Sequence, residues 1–154
     1  MINVNKMLSF DEGCKLVVYN CSEGFATCGT GHNLQADPAT SILKRPLKVG
    51  DKITSLESAQ LFEHDLNNVY NSIKKKIPFF NSLPDNYKAV LVNMTFQLGI
   101  NGVLQFKKML AAMQLNDNVA VAAAMKNSKW YKQTPNRADR LISTVNGVIP
   151  TEYI

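Results

Sequence analysis

Residues 54–78, which read TSLESAQLFEHDLNNVYNSIKKKIP, carry the clearest structural signal in the chain. Thr54 and Glu57 form the T-x-x-E pattern of a capping box, in which each side chain accepts a backbone N–H of the first turn. Apolar residues then recur every three or four positions, as on the buried face of a helix: Leu61, Phe62, Leu66, Val69, Tyr70, Ile73 and Ile77. The pattern predicts a helix of about six turns that ends before Pro78, because the residue preceding a proline resists the helical conformation.

The residues before this helix carry all of the strand signal. Residues 2–10 have loosely helical apolar spacing, and Gly13 is a plausible stop. Residues 15–32 alternate short apolar runs with turn residues, which is typical of short β-strands joined by tight turns. Residues 33–50 are ambiguous and predict only a short helix around Ile42.

The residues after the long helix are predicted to be helical throughout. Residues 87–98 fit one helix, stopped by Gly99, and residues 103–113 fit a second. Residues 119–125 fit a short alanine-rich helix. Thr134-Pro135 predicts a further helix start, with a hydroxyl N-cap followed by proline at the first helical position.

These patterns predict an α+β fold that is predominantly α-helical. We expect one domain, residues 1–154, in two lobes. We expect an α+β lobe with a short antiparallel sheet over approximately residues 12–58, and a connecting helix over approximately residues 59–79. A helical lobe would combine approximately residues 80–154 with residues 1–11. A cleft between two such lobes is where a ligand site is expected.

Composition excludes several classes of protein. Hydrophobic residues make up 45% of the 154 residues, which is too many for a disordered chain. No stretch approaches the ~18 consecutive apolar residues that a membrane span needs. Residues 1–10 lack the apolar segment of a secretory signal, so we expect synthesis and folding in a cytosol.

The three cysteines invite a metal-site interpretation, which their spacing disfavours. Cys14, Cys21 and Cys28 with His32 would supply three thiols and an imidazole. Structural zinc sites favour paired ligands at C-x₂₋₄-C spacing, which these residues lack. We therefore predict reduced thiols and no metal site.

The charge is unevenly distributed along the chain. The net charge is +5, of which +4 lies in residues 78–154 and +1 in residues 1–77. A basic C-terminal half suggests an anionic partner, such as nucleic acid, a membrane surface or a cell-wall polymer. A surface that is basic for solubility alone explains the charge equally well.

Three residues near the N-terminus could carry chemistry. Glu12 falls at the end of the first predicted helix, where the helix dipole favours a neutral carboxylic acid that can act as a general acid; it could equally be an exposed residue at a frayed helix end. Cys21 lies in a turn between Asn20 and Ser22, where cysteine is unusual, although it could also be a small apolar residue under a hairpin. Thr27 is most simply a strand residue, unless its hydroxyl faces the other two.

The segment from Trp130 to Arg137, WYKQTPNR, combines aromatic, amide and cationic side chains at a helix start. Such a combination fits contact with carbohydrate or nucleic acid, because aromatic faces stack on sugars or bases. It also fits a core tryptophan followed by a capped helix, and both interpretations can hold together.

Three motifs in this order resemble those of the phage-type lysozymes, glycoside hydrolase family 24. The first comprises Glu12-Gly13, Tyr19, Gly24, Thr27 and Gly29-Thr30-Gly31-His32. The second is NMTFQLG at residues 93–99, and the third is WYKQTPNRA at residues 130–138. The resemblance covers about residues 3–146 and is weakest over residues 33–52.

The resemblance implies a muramidase, which hydrolyses the β-1,4 bond between N-acetylmuramic acid and N-acetylglucosamine in peptidoglycan. It also implies a catalytic trio of Glu12, Cys21 and Thr27, with Cys21 where the family usually has Asp; the family includes members with Cys there. Glu12 would be the general acid, and Cys21 with Thr27 would activate or position water. As a thiolate, Cys21 could instead attack the anomeric carbon directly.

The resemblance implies roles for further residues. Arg137 matches an arginine that pairs with the catalytic glutamate, and His32 would support the site. Phe96 and Gln97 match cleft-lining positions expected to contact sugar, as does Asn33 where the alignment is looser. No cofactor is expected.

The implied partners are peptidoglycan glycan strands and, indirectly, a holin that opens the host membrane. The protein would act as a monomer without a membrane anchor, waiting in the host cytoplasm and lysing the cell from the periplasmic side. A non-catalytic peptidoglycan-binding relative or a toxin-associated lysozyme domain is the main alternative. A basic nucleic-acid binder is a weaker one, supported only by the charge and the segment from Trp130 to Arg137.

Overall fold

The computed structural model describes all 154 residues and confirms the predicted α+β, mainly helical fold. The helices are α1 (Val4–Glu12), α2 (Thr40–Leu43), α3 (Ser55–Lys76), α4 (Asp85–Leu104), α5 (Lys107–Gln114), α6 (Asn118–Lys126), α7 (Lys129–Gln133) and α8 (Pro135–Val145). The strands are β1 (Lys15–Asn20), β2 (Ala26–Gly29) and β3 (His32–Asn33), and short 3₁₀ helices span Phe80–Ser82 and Thr151–Tyr153.

The chain divides into two compact units. The N-terminal unit is Leu8–Asn68, and the C-terminal unit combines Met1–Met7 with Val69–Ile154. Helices α1 and α3 each contribute residues to both units. The predicted organisation, a single domain of two lobes separated by a cleft, stays a prediction.

The N-terminal unit is built on an antiparallel sheet in the order β1-β2-β3. Thr27 in β2 pairs with Tyr19 on one side and Asn33 on the other, so these three side chains share one face of the sheet. The opposite face covers a small apolar core, whose buried members are Val18, Cys28, Leu34, Ala39, Leu43, Ile53 and Leu61.

The predicted capping box of α3 is present. The Thr54 amide donates to Glu57 Oε1 at 3.0 Å, and the Glu57 amide donates to Thr54 Oγ1 at 3.0 Å. The guanidinium of Arg45 donates to the same carboxylate at 3.0 Å. These bonds satisfy two of the amides that every helix start leaves without a partner.

The C-terminal unit is a helical bundle around a buried α4. Gly99 was expected to stop this helix, but the chain bends there at φ 74° and the helix resumes as far as Leu104. The predicted helix over residues 103–113 is wrong as one element, because Val103 lies in the last turn of α4 and α5 begins only at Lys107. The amides of Gln105 and Phe106 close i→i+3 bonds that tighten and end α4, and the two helices meet at 102°.

The start of α8 also differs from the prediction. Pro135 occupies the first turn as expected, but the Thr134 hydroxyl does not cap the helix. It donates to the Trp130 carbonyl at 3.1 Å, because Thr134 also ends α7, a helix that the sequence did not predict. Ser128 begins α7 by accepting the Tyr131 amide at 3.1 Å.

No single helix is long and apolar enough to cross a membrane. Only α4 and α5 taken together reach the required length and composition, and that pair is sharply bent.

Candidate active site

Glu12 is the last residue of α1, and its carboxylate lies directly against the backbone of Gly31. Gly31 adopts φ +69°, and a Cβ built on it would come within 2.9 Å of Glu12 Oε2. Both facts require glycine at this position. The turn between β2 and β3 therefore confines the carboxylate, a contact between residues 19 apart that the sequence pattern did not reveal.

Cys21 and Thr27 lie together at the turn that joins β1 to β2. The turn is closed by a bond from the Cys21 amide to the Phe25 carbonyl at 2.9 Å. The pKa of the Cys21 thiol is lowered, first by hydrogen bonds with the backbone of Phe25 and Glu23 and then by the Thr27 hydroxyl, despite partial desolvation and the Glu23 charge. Lowering the pKa enlarges the thiolate fraction near neutral pH.

The Thr27 side chain is buried and held in place by its own turn. Its Oγ1 donates to the Phe25 carbonyl at 2.9 Å, and only 5% of the residue is exposed. Because the hydroxyl proton points at that carbonyl, the oxygen lone pairs are available to accept a hydrogen bond from water.

Tyr19 places Glu12 and Cys21 in one neighbourhood. Burial raises the pKa of its phenol, and the negative charges of Cys21, Glu12 and Cys28 raise it further. The Lys15 ammonium lies 4.1 Å from the ring centroid, within the range of a cation–π contact. The charges of Glu12 and Cys21 therefore both act on the phenol of one residue, which pairs with Thr27 across the β1–β2 hairpin.

His32 is bound through both of its ring nitrogens. Nδ1 lies 2.7 Å from Asp65 Oδ2, and Nε2 lies 2.8 Å from the Asp37 carbonyl. Burial lowers the pKa of His32, but the bond and charge of Asp65, with those of Asp37, outweigh it and raise the pKa. Both partners are acceptors, so the ring that satisfies both is the protonated imidazolium. This network supports the β3 turn beside Gly31.

The same residues form the group whose geometry could hold a metal ion. One ligand atom from each of His32, Asp37 and Asp65 lies within 4.8 Å of the others. Both imidazole nitrogens already bond to acceptors, however, which fits an ion pair better than a ligand set. None of the cysteines belongs to this group. The Cys14 sulfur lies 3.5 Å from Ser58 Oγ, and burial raises the pKa of Cys28 to about 11.

Asn33 uses its side-chain oxygen within its own loop. Oδ1 accepts the amides of Gln35 at 2.9 Å and Ala36 at 3.2 Å, which is an Asx turn. A role in sugar binding stays a prediction for this residue.

The remaining predicted site residues belong to the C-terminal unit. Trp130 Nε1 donates to Gln97 Oε1 at 2.9 Å, and Phe96 is partly exposed one position earlier on α4. Only 4% of Trp130 is exposed, so the core interpretation of this residue is confirmed. Arg137 is buried, and its Nε donates to Asn93 Oδ1 at 2.9 Å. Its expected pairing with Glu12 stays a prediction.

Comparison with known proteins identifies the family. The family model described as phage lysozyme matches residues 10–144. The chain belongs to the phage lysozyme family. This match spans Glu12, Cys21 and Thr27 in the N-terminal unit and Phe96, Gln97 and Arg137 in the C-terminal unit.

Three relatives of this phage-lysozyme chain are informative. Two proteins of Dictyostelium discoideum, probable T4-type lysozyme 1 and probable T4-type lysozyme 2, are 37% and 36% identical to it. The alignments cover 93% and 98% of this chain and the same shares of those proteins. The peptidoglycan hydrolase gp36 of Pseudomonas phage phiKMV is 27% identical over 92% of this chain, which corresponds to 15% of that protein.

Proposed function

We propose that this protein is a muramidase that hydrolyses the β-1,4 bond between N-acetylmuramic acid and N-acetylglucosamine in peptidoglycan. Membership of the phage lysozyme family and the names of its relatives support peptidoglycan hydrolysis. The single observation that carries the proposal is the arrangement around Tyr19. The charges of Glu12 and Cys21 both raise the pKa of its phenol, and Thr27 is its partner across the antiparallel pair of β1 and β2. Glycosidases need a proton donor and a second group that delivers or replaces water.

Glu12 is the proposed general acid. In its protonated form it would donate to the bridging glycosidic oxygen as the bond to the anomeric carbon breaks. Its confinement against Gly31 supports this role, because a catalytic acid acts efficiently only when its proton is held at the reacting oxygen.

Cys21 and Thr27 are proposed to deliver water. The thiolate would take one proton from a water that attacks the anomeric carbon on the face opposite the departing sugar, while Thr27 Oγ1 would accept a hydrogen bond from the O–H that the water keeps and that becomes the hydroxyl of the product. The lowered pKa of Cys21 supports this role, because a free thiol of pKa ~8.5 is only slightly ionised at neutral pH. We favour water activation over direct attack, since the thioglycoside formed by attack would hydrolyse slowly.

The test is muropeptide mass analysis of purified peptidoglycan after digestion. The wild type should release fragments ending in reducing N-acetylmuramic acid, and Glu12→Gln, which keeps the shape but has no acidic proton, should release none. Full activity of Glu12→Gln would overturn the assignment. A non-catalytic binding relative would sediment with peptidoglycan yet release no fragments from either form.

The role of Cys21 is tested separately. Cys21→Asp should keep substantial activity because it restores an ionised oxygen base, whereas Cys21→Ser, the matched control without a negative charge, should lose most of it. Proton NMR of the first product should show inversion at the anomeric carbon for water activation. Retention would instead indicate that the sulfur attacks.

We propose that the basic C-terminal half of the sequence helps to capture the wall, because the stem peptides of peptidoglycan carry carboxylates. The rate of wall hydrolysis should then fall as salt rises from ~0.02 M to ~0.3 M, because the field is screened over a Debye length of ~8 Å near physiological salt. A flat salt profile would contradict electrostatic capture.

We further propose that the protein lyses a host cell after synthesis in its cytoplasm, reaching the periplasmic wall when a holin opens the membrane. It would act as a monomer without a cofactor. Expression in a Gram-negative host should leave cells intact until chloroform permeabilises the inner membrane, and the Glu12→Gln strain should not lyse even then. Lysis of the wild-type strain without chloroform would contradict the need for membrane opening.

A further inference from the structure

A groove in the C-terminal unit has no place in the proposed reaction. It encloses about 880 Å³ and runs between the end of α4, the start of α5, and helices α6 and α7. Its floor and walls are largely apolar, formed by Leu98, Phe106, Met109, Ala120, Ala124 and Trp130. The Phe106 and Trp130 rings meet edge to face at 5.9 Å between centroids and stiffen one wall. A volume of ~300–1,000 Å³ with an apolar lining is typical of a small-molecule site.

The charged side chains at the edge of this groove, which we call the lysine-edged groove, are all positive. Lys107, Lys108 and Lys129 line it and are exposed, and no acidic residue is among the lining residues. Lys107 and Lys108 also form the first turn of α5, where the positive end of the helix dipole adds to their charge. An occupant with an anionic end group is therefore favoured at this edge.

The chemistry of the floor indicates what the rest of the occupant is. The floor presents hydrocarbon and aromatic surfaces, and helical backbone has its own hydrogen bonds. A peptide laid along this floor would bury amide groups without hydrogen-bond partners, which disfavours its binding. A hydrocarbon chain incurs no such cost, and each CH₂ group that it buries favours its binding.

We propose that the lysine-edged groove binds a single acyl chain that ends in a carboxylate, with the chain along Phe106 and Trp130 and the carboxylate at Lys107 and Lys108. This site is independent of the proposed muramidase reaction. Its ligand class is the free fatty acid.

The chain contains a built-in probe of occupancy, because Trp130 is its only tryptophan and lines the groove. Decanoate, titrated below its micelle concentration, should change the Trp130 emission saturably. Acetate, which has the end group without the chain, should cause no change. Decyltrimethylammonium, which has the chain with the opposite charge, should bind at least tenfold more weakly. Equal binding of the two decyl ions, or a response that does not saturate, would overturn the proposal.

Two variants test the assignment to this groove. Lys107→Gln combined with Lys108→Gln should weaken decanoate binding about tenfold, while the matched control Lys74→Gln with Lys75→Gln, which removes two charges from the end of α3, should change it less than twofold. Ala123→Leu, which extends an exposed lining residue into the groove, should abolish binding without unfolding the helix as followed by circular dichroism. Unaltered binding in either groove variant would overturn the proposal.

A membrane surface is the contrasting occupant. Vesicles of phosphatidylglycerol should leave the emission unchanged if the groove accepts single chains. A response to these vesicles without one to decanoate would show that the face docks on lipid bilayers, and would overturn the proposal.

Discussion

The two units of this protein are stabilised in different ways. In the N-terminal unit, a small apolar core lies beside three ion pairs, His32–Asp65, Arg45–Glu57 and His64–Asp37. In the C-terminal unit, large side chains that are fully buried carry the packing, many of them methionines. We infer that the unit holding the candidate acid and thiol depends on pH through its ion pairs, whereas the helical unit depends on close packing.

Leu91→Ala in α4 tests the packing side of this comparison. Leu91 is completely buried, so its truncation should lower the free energy of unfolding by about 3 kcal/mol through lost burial and the cavity left behind. Urea unfolding at pH 5.5 and at pH 8.5 should show the same loss. A loss that changes with pH would contradict the contrast between the two units.

Gly31→Ala tests the contact that confines the candidate acid. The new methyl group would meet Glu12 Oε2 at 2.9 Å, and a displaced acid should reduce the rate of wall hydrolysis about a hundredfold. Gly24→Ala is the matched control, because Gly24 also has a positive φ but its Cβ would meet nothing within 4 Å. Both variants should lose about 1 kcal/mol of stability from backbone strain, and only Gly31→Ala should lose most of its activity.

Asp65→Asn tests the charge side of the comparison. The pKa of His32 is raised in the folded state, so its stabilising contribution is complete below its unfolded pKa of ~6.5 and is lost as pH rises through the folded value. The variant should therefore be less stable than wild type by about 2 kcal/mol at pH 5.5, with a smaller difference at pH 8.5.

The control for this measurement is Glu57→Gln, which breaks the more exposed pair with Arg45 but keeps a capping amide. Its cost should stay below about 1 kcal/mol at both values of pH. An equal cost of Asp65→Asn at pH 5.5 and pH 8.5 would contradict a charged His32.

Thr95→Val is the smallest expected effect and the only one that stabilises. The Thr95 hydroxyl is buried in α4 without a hydrogen-bond partner, and valine has nearly the same shape. Removing the unpaired polar group should raise the free energy of unfolding by about 1 kcal/mol, measured by urea unfolding. A decrease would show that the hydroxyl contributes to the packing of this unit.

Local patterns predicted the parts of the fold that depend on neighbouring residues. The capping box of Thr54 and Glu57 and the end of α3 before Pro78 both follow from bonds within one or two turns, and both are present. The same approach failed where tertiary packing decides. The apolar spacing from Val103 to Met113 suggested one helix, but Phe106 leaves the helical conformation and packs on Trp130.

The candidate site shows the same limit. Sequence motifs singled out Glu12, Cys21 and Thr27, and the hydrogen bonding between the last two follows from one hairpin. The supporting contacts join residues far apart in the chain, as His32 and Asp65 are, and only the folded backbone reveals such pairs. The Glu12 contact with Gly31 depends on the backbone conformation of Gly31, which spacing alone does not specify.

The two ends of the chain meet in the C-terminal unit. The Asn3 amide donates to the Tyr153 carbonyl at 2.7 Å, and Lys6 Nζ donates to the Ile154 carbonyl at 2.8 Å. During synthesis, Asn3 and Lys6 therefore leave the ribosome long before the residues to which they bond, and their native bonds can form only after residues 153 and 154 have been made. The helical unit, which combines Met1–Met7 with Val69–Ile154, therefore completes its native bonding only after translation has passed residue 154, whereas every residue of the N-terminal unit has been made by residue 68.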